Sequence, residues 1–157
     1  MPGPTLPRLR AYRAADAPFV EGLARAAFGE YSPRAGAPSV QAATLPGVVA
    51  IVAASGSGPV GFAMLTMHAT QGARFASLDA IAVDEKERGR GVGKALLAGA
   101  ERAAKKRQAR EIKLVTAEAN VAALDLFLRA GFSIVERLGR YYPRGQNAVS
   151  MRKKLAP

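Results

Sequence analysis

At 157 residues and 49% hydrophobic, the chain can bury one sizeable core and is expected to form a single domain over 1–157. It has no cysteine, which excludes a disulfide framework, a thiolate metal site and a cysteine nucleophile, and its lone histidine, His68, leaves metal catalysis without a ligand set. The formal net charge of +11 favours anionic partners, although arginines scattered through an Ala- and Gly-rich chain also follow from composition bias.

No apolar run reaches transmembrane length, so no membrane partner is expected. The N-terminus Met1-Pro2-Gly3-Pro4 begins no signal peptide, which makes the cytoplasm the expected location. Leu6 to Tyr12 reads as a first strand. Asp16 reads as an N-cap, with Pro18 in the first turn and an apolar stripe at Phe19, Val20, Leu23, Ala27 and Phe28 at helical spacing. Prolines and glycines then dominate Gly29 to Gly47, which is mostly loop with one short helix around Ser39 to Ala43. Val48 to Ala53 and Val60 to His68 are apolar strands buried on two faces, joined through Ser55-Gly56-Ser57-Gly58-Pro59 as a hairpin. His68 reads as a satisfied strand-end histidine. After the turn Gln71-Gly72-Ala73-Arg74, Phe75 to Val83 returns as a strand, and a period of two places Phe75, Ser77, Asp79, Ile81 and Val83 on one face.

Asp79 stands out. A carboxylate in an apolar central strand is costly to bury, and desolvation there would raise its pKa toward the range of a general base. A pair with one of the many arginines is the alternative reading of the same residue.

Arg88-Gly89-Arg90-Gly91-Val92-Gly93-Lys94 follows this strand and opens into a helix over Val92 to Arg107. Strand, glycine-rich turn and helix together build an anion site, because the curled backbone leaves helix-start N–H groups pointing outward with the helix dipole behind them. Lys94 stands in the first turn, where a cation opposes the dipole unless a bound anion compensates. A Walker loop is excluded: Arg88 stands where its first glycine belongs, and Ala95 replaces the Ser or Thr that binds magnesium. The every-second-residue glycines also fail the Gly-x-Gly-x-x-Gly dinucleotide fingerprint.

Arg88, Gly91 and Gly93 do match Arg/Gln-x-x-Gly-x-Gly/Ala, and so resemble the acyl-CoA pyrophosphate loop of the GNAT superfamily of N-acyltransferases. A strand over Glu111 to Thr116 and a helix opening at Asn120 follow. Asn120-x-x-Ala123-x-x-Leu126-Phe127-x-x-x-Gly131-Phe132 resembles the superfamily's second helix, at the expected distance behind the loop. The resemblance implies an α/β (α+β) fold of about seven strands, near 6–12, 48–54, 60–68, 75–83, 111–116, 132–138 and 148–155. Three to four helices flank them, three of these near 16–28, 92–107 and 120–130. It further implies acetyl-CoA as cofactor, lying in a V between the 78–83 and 111–116 strands. The pantetheine would run beside Ile81, Ala82 and Val83, the pyrophosphate would meet the backbone of Arg88 to Lys94, and Asn120 and Phe127 would be at the cofactor. An N-cap role for Asn120 is an equal alternative. The acceptor would be a primary amine of a small molecule or of a peptide N-terminus.

The departures are chemical. Phe127 replaces the tyrosine that protonates the departing thiolate in many members, and Tyr141 and Tyr142 are the candidates to replace it. Gly139-Arg140-Tyr141-Tyr142-Pro143 with Asn147 to Met151 resembles the tail of the subgroup that acetylates N-terminal amines of ribosomal and other proteins, whose glutamate base is replaced here by Val115. Asp79 is the first candidate for base and Glu118 the second. A non-catalytic acyl-CoA or nucleic-acid binding module is the alternative function. No stacking-aromatic array supports nucleic acid as the partner. A homodimer is compatible with an exposed C-terminal strand.

Overall fold

The computed structural model describes residues 6–32 and 40–156. Seven strands form one mixed sheet in the order β1-β2-β3-β4-β5-β7-β6. They are β1 Arg8–Ala11, β2 Val48–Ser55, β3 Gly58–Thr70, β4 Ala73–Val83, β5 Glu111–Ala117, β6 Ser133–Leu138 and β7 Ala148–Lys154. Among the described residues three α-helices flank the sheet: α1 (Ala17–Phe28), α2 (Val92–Lys106) and α3 (Val121–Arg129). Of the short helix expected around 39–43, residues 40–42 are helical and residue 39 lies outside the described residues.

Each face of the sheet carries its own apolar layer. Leu65, Ala76, Leu78, Ile112, Leu114 and Met151 pack against Leu96, Leu97, Ala100 and Phe127 of α2 and α3. On the other face Val52, Phe62, Met64 and Ala82 pack against Val20 and Ala24 of α1. The helical stripes read from the sequence are therefore the core-facing sides of these helices.

Three details differ from the sequence expectations. The β2–β3 connection is only Gly56-Ser57, because β3 begins at Gly58 with a φ of 115° that a glycine tolerates. The C-terminal strand is not an edge: β7 lies between β5 and β6, so the exposed edge is β6. Asp16 precedes α1 but caps nothing there with its side chain. Its carboxylate, 3% exposed, instead accepts a fork from Arg10 at 2.7 and 2.8 Å and the Arg13 N–H at 2.8 Å. Arg10 is the main reason its pKa is held below the usual carboxylate range, against the opposing effect of burial. The buried aspartate of this chain is thus a strut between β1 and α1.

Candidate active site

Strands β4 and β5 pair in parallel only at Ala76↔Ile112 and Ser77↔Lys113. Beyond those rows they part, which leaves the β5-facing backbone of β4 from Leu78 to Val83 without a strand partner. Two cavities open along this split. A cleft of about 640 Å³ is lined by Ile81, Ala82 and Val83, by most of the glycine loop, and by Ala119, Asn120, Ala123 and Leu126. A cavity of about 710 Å³ on the other side is lined by Ser77, Asp79, Lys113, Val115, Tyr141, Tyr142 and Arg152, among others. Between them a space of about 60 Å³ is walled by Leu78, Asp79, Ile81, Val115, Asn120 and Phe127.

The glycine loop bends through two left-handed residues, Gly89 at φ 78° and Gly91 at φ 83°, and Gly91 is the N-cap of α2. From Gly89 to Lys94 no backbone N–H donates to a carbonyl among the described residues; the first helical bond at this end runs from Ala95 to Gly91 at 3.0 Å. Six outward donors at a helix start, with Arg88 and Lys94 on the cleft wall, form a cradle for a pyrophosphate. The unpaired β4 edge beside it suits an extended amide-bearing chain, so the residues present fit the acyl-CoA group implied by the loop. Arg90 contributes only backbone here. Its side chain reaches Glu87, which is itself on the cleft wall, at 3.4 Å.

Asp79 is exposed, not buried, and among the described residues no arginine pairs with it. The reason is a β-bulge. Met64 pairs with Ala80 and Leu65 with Leu78, so Asp79 has no partner on β3 and is pushed out of the ladder. The bulge also reverses the alternation. Ser77 faces the α1 side, whereas Ile81 and Val83 pack toward α2 and α3, so the single face expected for 75–83 is split in two. The burial cost on which the reading of Asp79 as a base rested lapses with its exposure.

A polar chain holds Asp79 instead. Thr66 Oγ1 donates to Oδ2, and Ser77 Oγ donates to Oδ1 at 2.9 Å. An ionised carboxylate only accepts, so Ser77 spends its one hydrogen on Asp79. Its 2.9 Å contact with His68 Nε2 therefore has the ring nitrogen donating. His68 is hydrogen-bonded at the end of β3, as its sequence reading has it, and its partner is the serine that holds Asp79. It also stacks on Phe75 at 4.7 Å between ring centroids.

Tyrosines close the other side. Tyr31 and Tyr142 lie 4.8 Å apart, and Tyr141 meets Tyr142 edge-on at 5.0 Å. Burial is the largest cause that raises both the Tyr142 and the Tyr31 phenol above the ordinary value of 10.0. Tyr31 lines both large cavities, as do Phe28 and Asn120. Neither Tyr31 nor Phe28 was singled out from the sequence, because the first sits in a loop and the second reads as core. Asn120 Oδ1 caps α3 by accepting from the Ala123 N–H at 3.2 Å, so the N-cap role holds while the residue also lines the split.

Two expected site residues are placed elsewhere. Glu118 lines none of the three spaces; it forms a forked ion pair with Arg137, through Nε and through Nη2 at 3.1 Å, which lowers its pKa. That makes it a weaker base facing the wrong way. Phe127 is 3% exposed and packs on Phe132, so it walls only the small connecting space and not the cofactor cleft.

Residues 12–132 match the family model described as the Acetyltransferase (GNAT) family. The chain belongs to that family. Compared with curated proteins, the sequence has no match. Among solved structures it is similar to Ard1 from Thermoplasma volcanium, with 22% identity, a TM-score of 0.82 and coverage of 98% of this chain and 100% of that one. It is similar to ribosomal-protein-alanine N-acetyltransferase from Brucella melitensis, with 21% identity, a TM-score of 0.82 and coverage of 94% and 99%. It is also similar to Arabidopsis thaliana NAA60 in complex with acetyl-CoA, with 18% identity, a TM-score of 0.82 and coverage of 94% and 99%. These likenesses establish a shared fold.

Proposed function

We propose that the protein is an acetyl-CoA-dependent N-acetyltransferase that acts directly on a primary amine. The observation that carries this is the junction: a cleft with six free N–H donors and a cavity holding a carboxylate meet at one gap in the sheet. Acetyl-CoA, when bound, supplies an activated thioester. The loop from Gly89 to Lys94 holds its pyrophosphate, and the Leu78 to Val83 backbone edge aligns its chain toward the gap. Asp79 receives the proton from the amine. Asp79 is exposed, so it passes that proton on to solvent directly, while Thr66 and Ser77 keep the carboxylate in place. Tyr31, with a phenol kept protonated by burial, is the acid available at the junction of the two cavities, with Tyr142 beside it.

The test is CoA thiol release from acetyl-CoA across N-terminal peptides, polyamines, amino acids and amino sugars. The chain has no cysteine, so a thiol reagent sees no background from it. Turnover confined to one amine class supports the reading. Thermal stabilisation by acetyl-CoA with no thiol release from any amine favours a non-catalytic acyl-CoA binder, which the replacements at Phe127 and Val115 keep in view. Nucleic-acid binding that weakens steeply with salt and is indifferent to the glycine loop would favour the other alternative.

A further inference from the structure

The 710 Å³ cavity has a charge pattern the proposed chemistry does not use. Lys113 on β5 and Arg152 on β7 are direct register partners. Both stand on the face opposite the buried Ile112, Leu114 and Met151, and both line the cavity. Like charges directly opposite on antiparallel strands repel. Lys113 is partly answered: its Nζ lies 3.6 Å from Glu111 and 4.3 Å from the centre of the Phe75 ring. Arg152 has no carboxylate within 4.0 Å among the described residues. Glu136, paired with Ser150 on the edge strand β6, does not line the cavity. Among the described residues Asp79 is the only acid that does, so the cavity carries a negative end at the gap and a larger positive end away from it.

We propose that the acceptor is a primary amine carrying a carboxylate two to three residue-lengths away, with the amine at Asp79 and the carboxylate between Lys113 and Arg152. This rests on the acetyltransfer reading and names its substrate class. The spacing follows from the sheet. Ser77 pairs with Lys113, and Asp79 lies two residues further along β4. At ~3.3 Å per residue and ~4.8 Å per strand, the Lys113 and Arg152 positions lie about 8 to 12 Å from Asp79. That exceeds the amine-to-carboxylate distance of a free α-amino acid. It matches an acidic side chain at the second or third residue of an extended peptide, or a long ω-amino acid. Polyamines and amino sugars, by contrast, present cations to the positive end.

The experiment is thiol release with C-terminally amidated peptides that share one N-terminal residue and carry Glu, Gln or Lys at positions two and three, beside ω-amino acids of increasing length and their amides. The expected result is a preference in kcat/KM of about tenfold for Glu over Gln, larger over Lys, and shrinking with added salt. In the Lys113→Gln/Arg152→Gln double variant that ratio collapses toward one, and Arg152→Glu shifts preference to the Lys peptides. The two arms separate a peptide acid from a small-molecule acid. Turnover that ignores the acid, or a preference that survives in the double variant, overturns the inference and leaves acetyltransfer standing. No thiol release with any amine overturns both.

Discussion

The two large cavities differ little in volume, about 640 against 710 Å³, and almost entirely in how they are made. The cofactor cleft takes half of its lining from one stretch, Ile81 to Lys94, and the chemistry of that half is backbone: N–H groups freed by two left-handed glycines and a helix start. The acceptor cavity draws side chains from the end of α1, from β4, β5, β6 and β7, and from the 141–142 loop. A backbone site tolerates side-chain change and fails when the chain path changes. A side-chain site does the reverse, and each of its residues can be exchanged to alter the acceptor.

That contrast is testable first at Asp79. Asp79→Asn keeps the shape and removes the base, so kcat/KM for the amine should fall about a hundredfold or more. The acetyl-CoA affinity of the variant, measured by calorimetry, should match the wild type. An equal loss of cofactor affinity would mean that the two ends are not separable, and an unchanged kcat/KM would remove Asp79 from proton transfer.

Gly91→Val probes the opposite end. A β-branched residue at φ 83° is strained and shifts the N–H groups that follow. A loss of roughly thirtyfold in acetyl-CoA affinity is expected. Arg90→Ala, which deletes a charge but leaves the chain path alone, should cost no more than about threefold, because that side chain is already paired with Glu87 and does not itself line the cleft. If Arg90 proved the more damaging, side-chain charge and not backbone would be the basis of the cleft.

The same contrast explains what could be read from the sequence. The glycine loop and the Asn120 helix were legible because a local chain path has a local signature. The acceptor cavity was not, because its members meet only through register. Part of that register was within reach. Gln71 and Gly72 have φ of 48° and 80°, a two-residue turn, and counting outward from it pairs His68 with Phe75 and Thr66 with Ser77. The sequence reading spread this turn over four residues and lost the pairing. The bulge at Asp79 has no glycine or proline to announce it, and only the inward packing of Ile81 and Val83 reveals it. Likewise Asp16 and Asp79 exchange expectations: the residue read as a helix cap is buried against Arg10, and the one read as buried is exposed.

Tyr31 lies where the two constructions meet, and a smaller effect is expected there. Tyr31→Phe should lower kcat about tenfold with little change in the acetyl-CoA affinity. The raised phenol fixes the sign of the pH effect: activity needing the protonated form is full below pH 10.0 and is lost only as pH rises past the raised value. The descending limb should therefore disappear in Tyr31→Phe if Tyr31 is the donor, and remain if Tyr142 is.

The smallest effect is expected at Glu118, and it sharpens the comparison most cheaply. Glu118 stands just before Asn120 in the sequence, yet its carboxylate is turned out to Arg137 and its pKa is lowered by that partner. A carboxylate with a lowered pKa stays ionised to lower pH but grips a proton more weakly, which suits a surface ion pair better than a base. Glu118→Gln should leave kcat/KM within about twofold at every pH, since exposed pairs contribute little. If instead it reproduced the loss in kcat/KM expected for Asp79→Asn, the base would lie on the α3 side of the gap. The acceptor would then approach from beyond β5, and the polar chain from Asp79 to His68 would be a brace for the bulge.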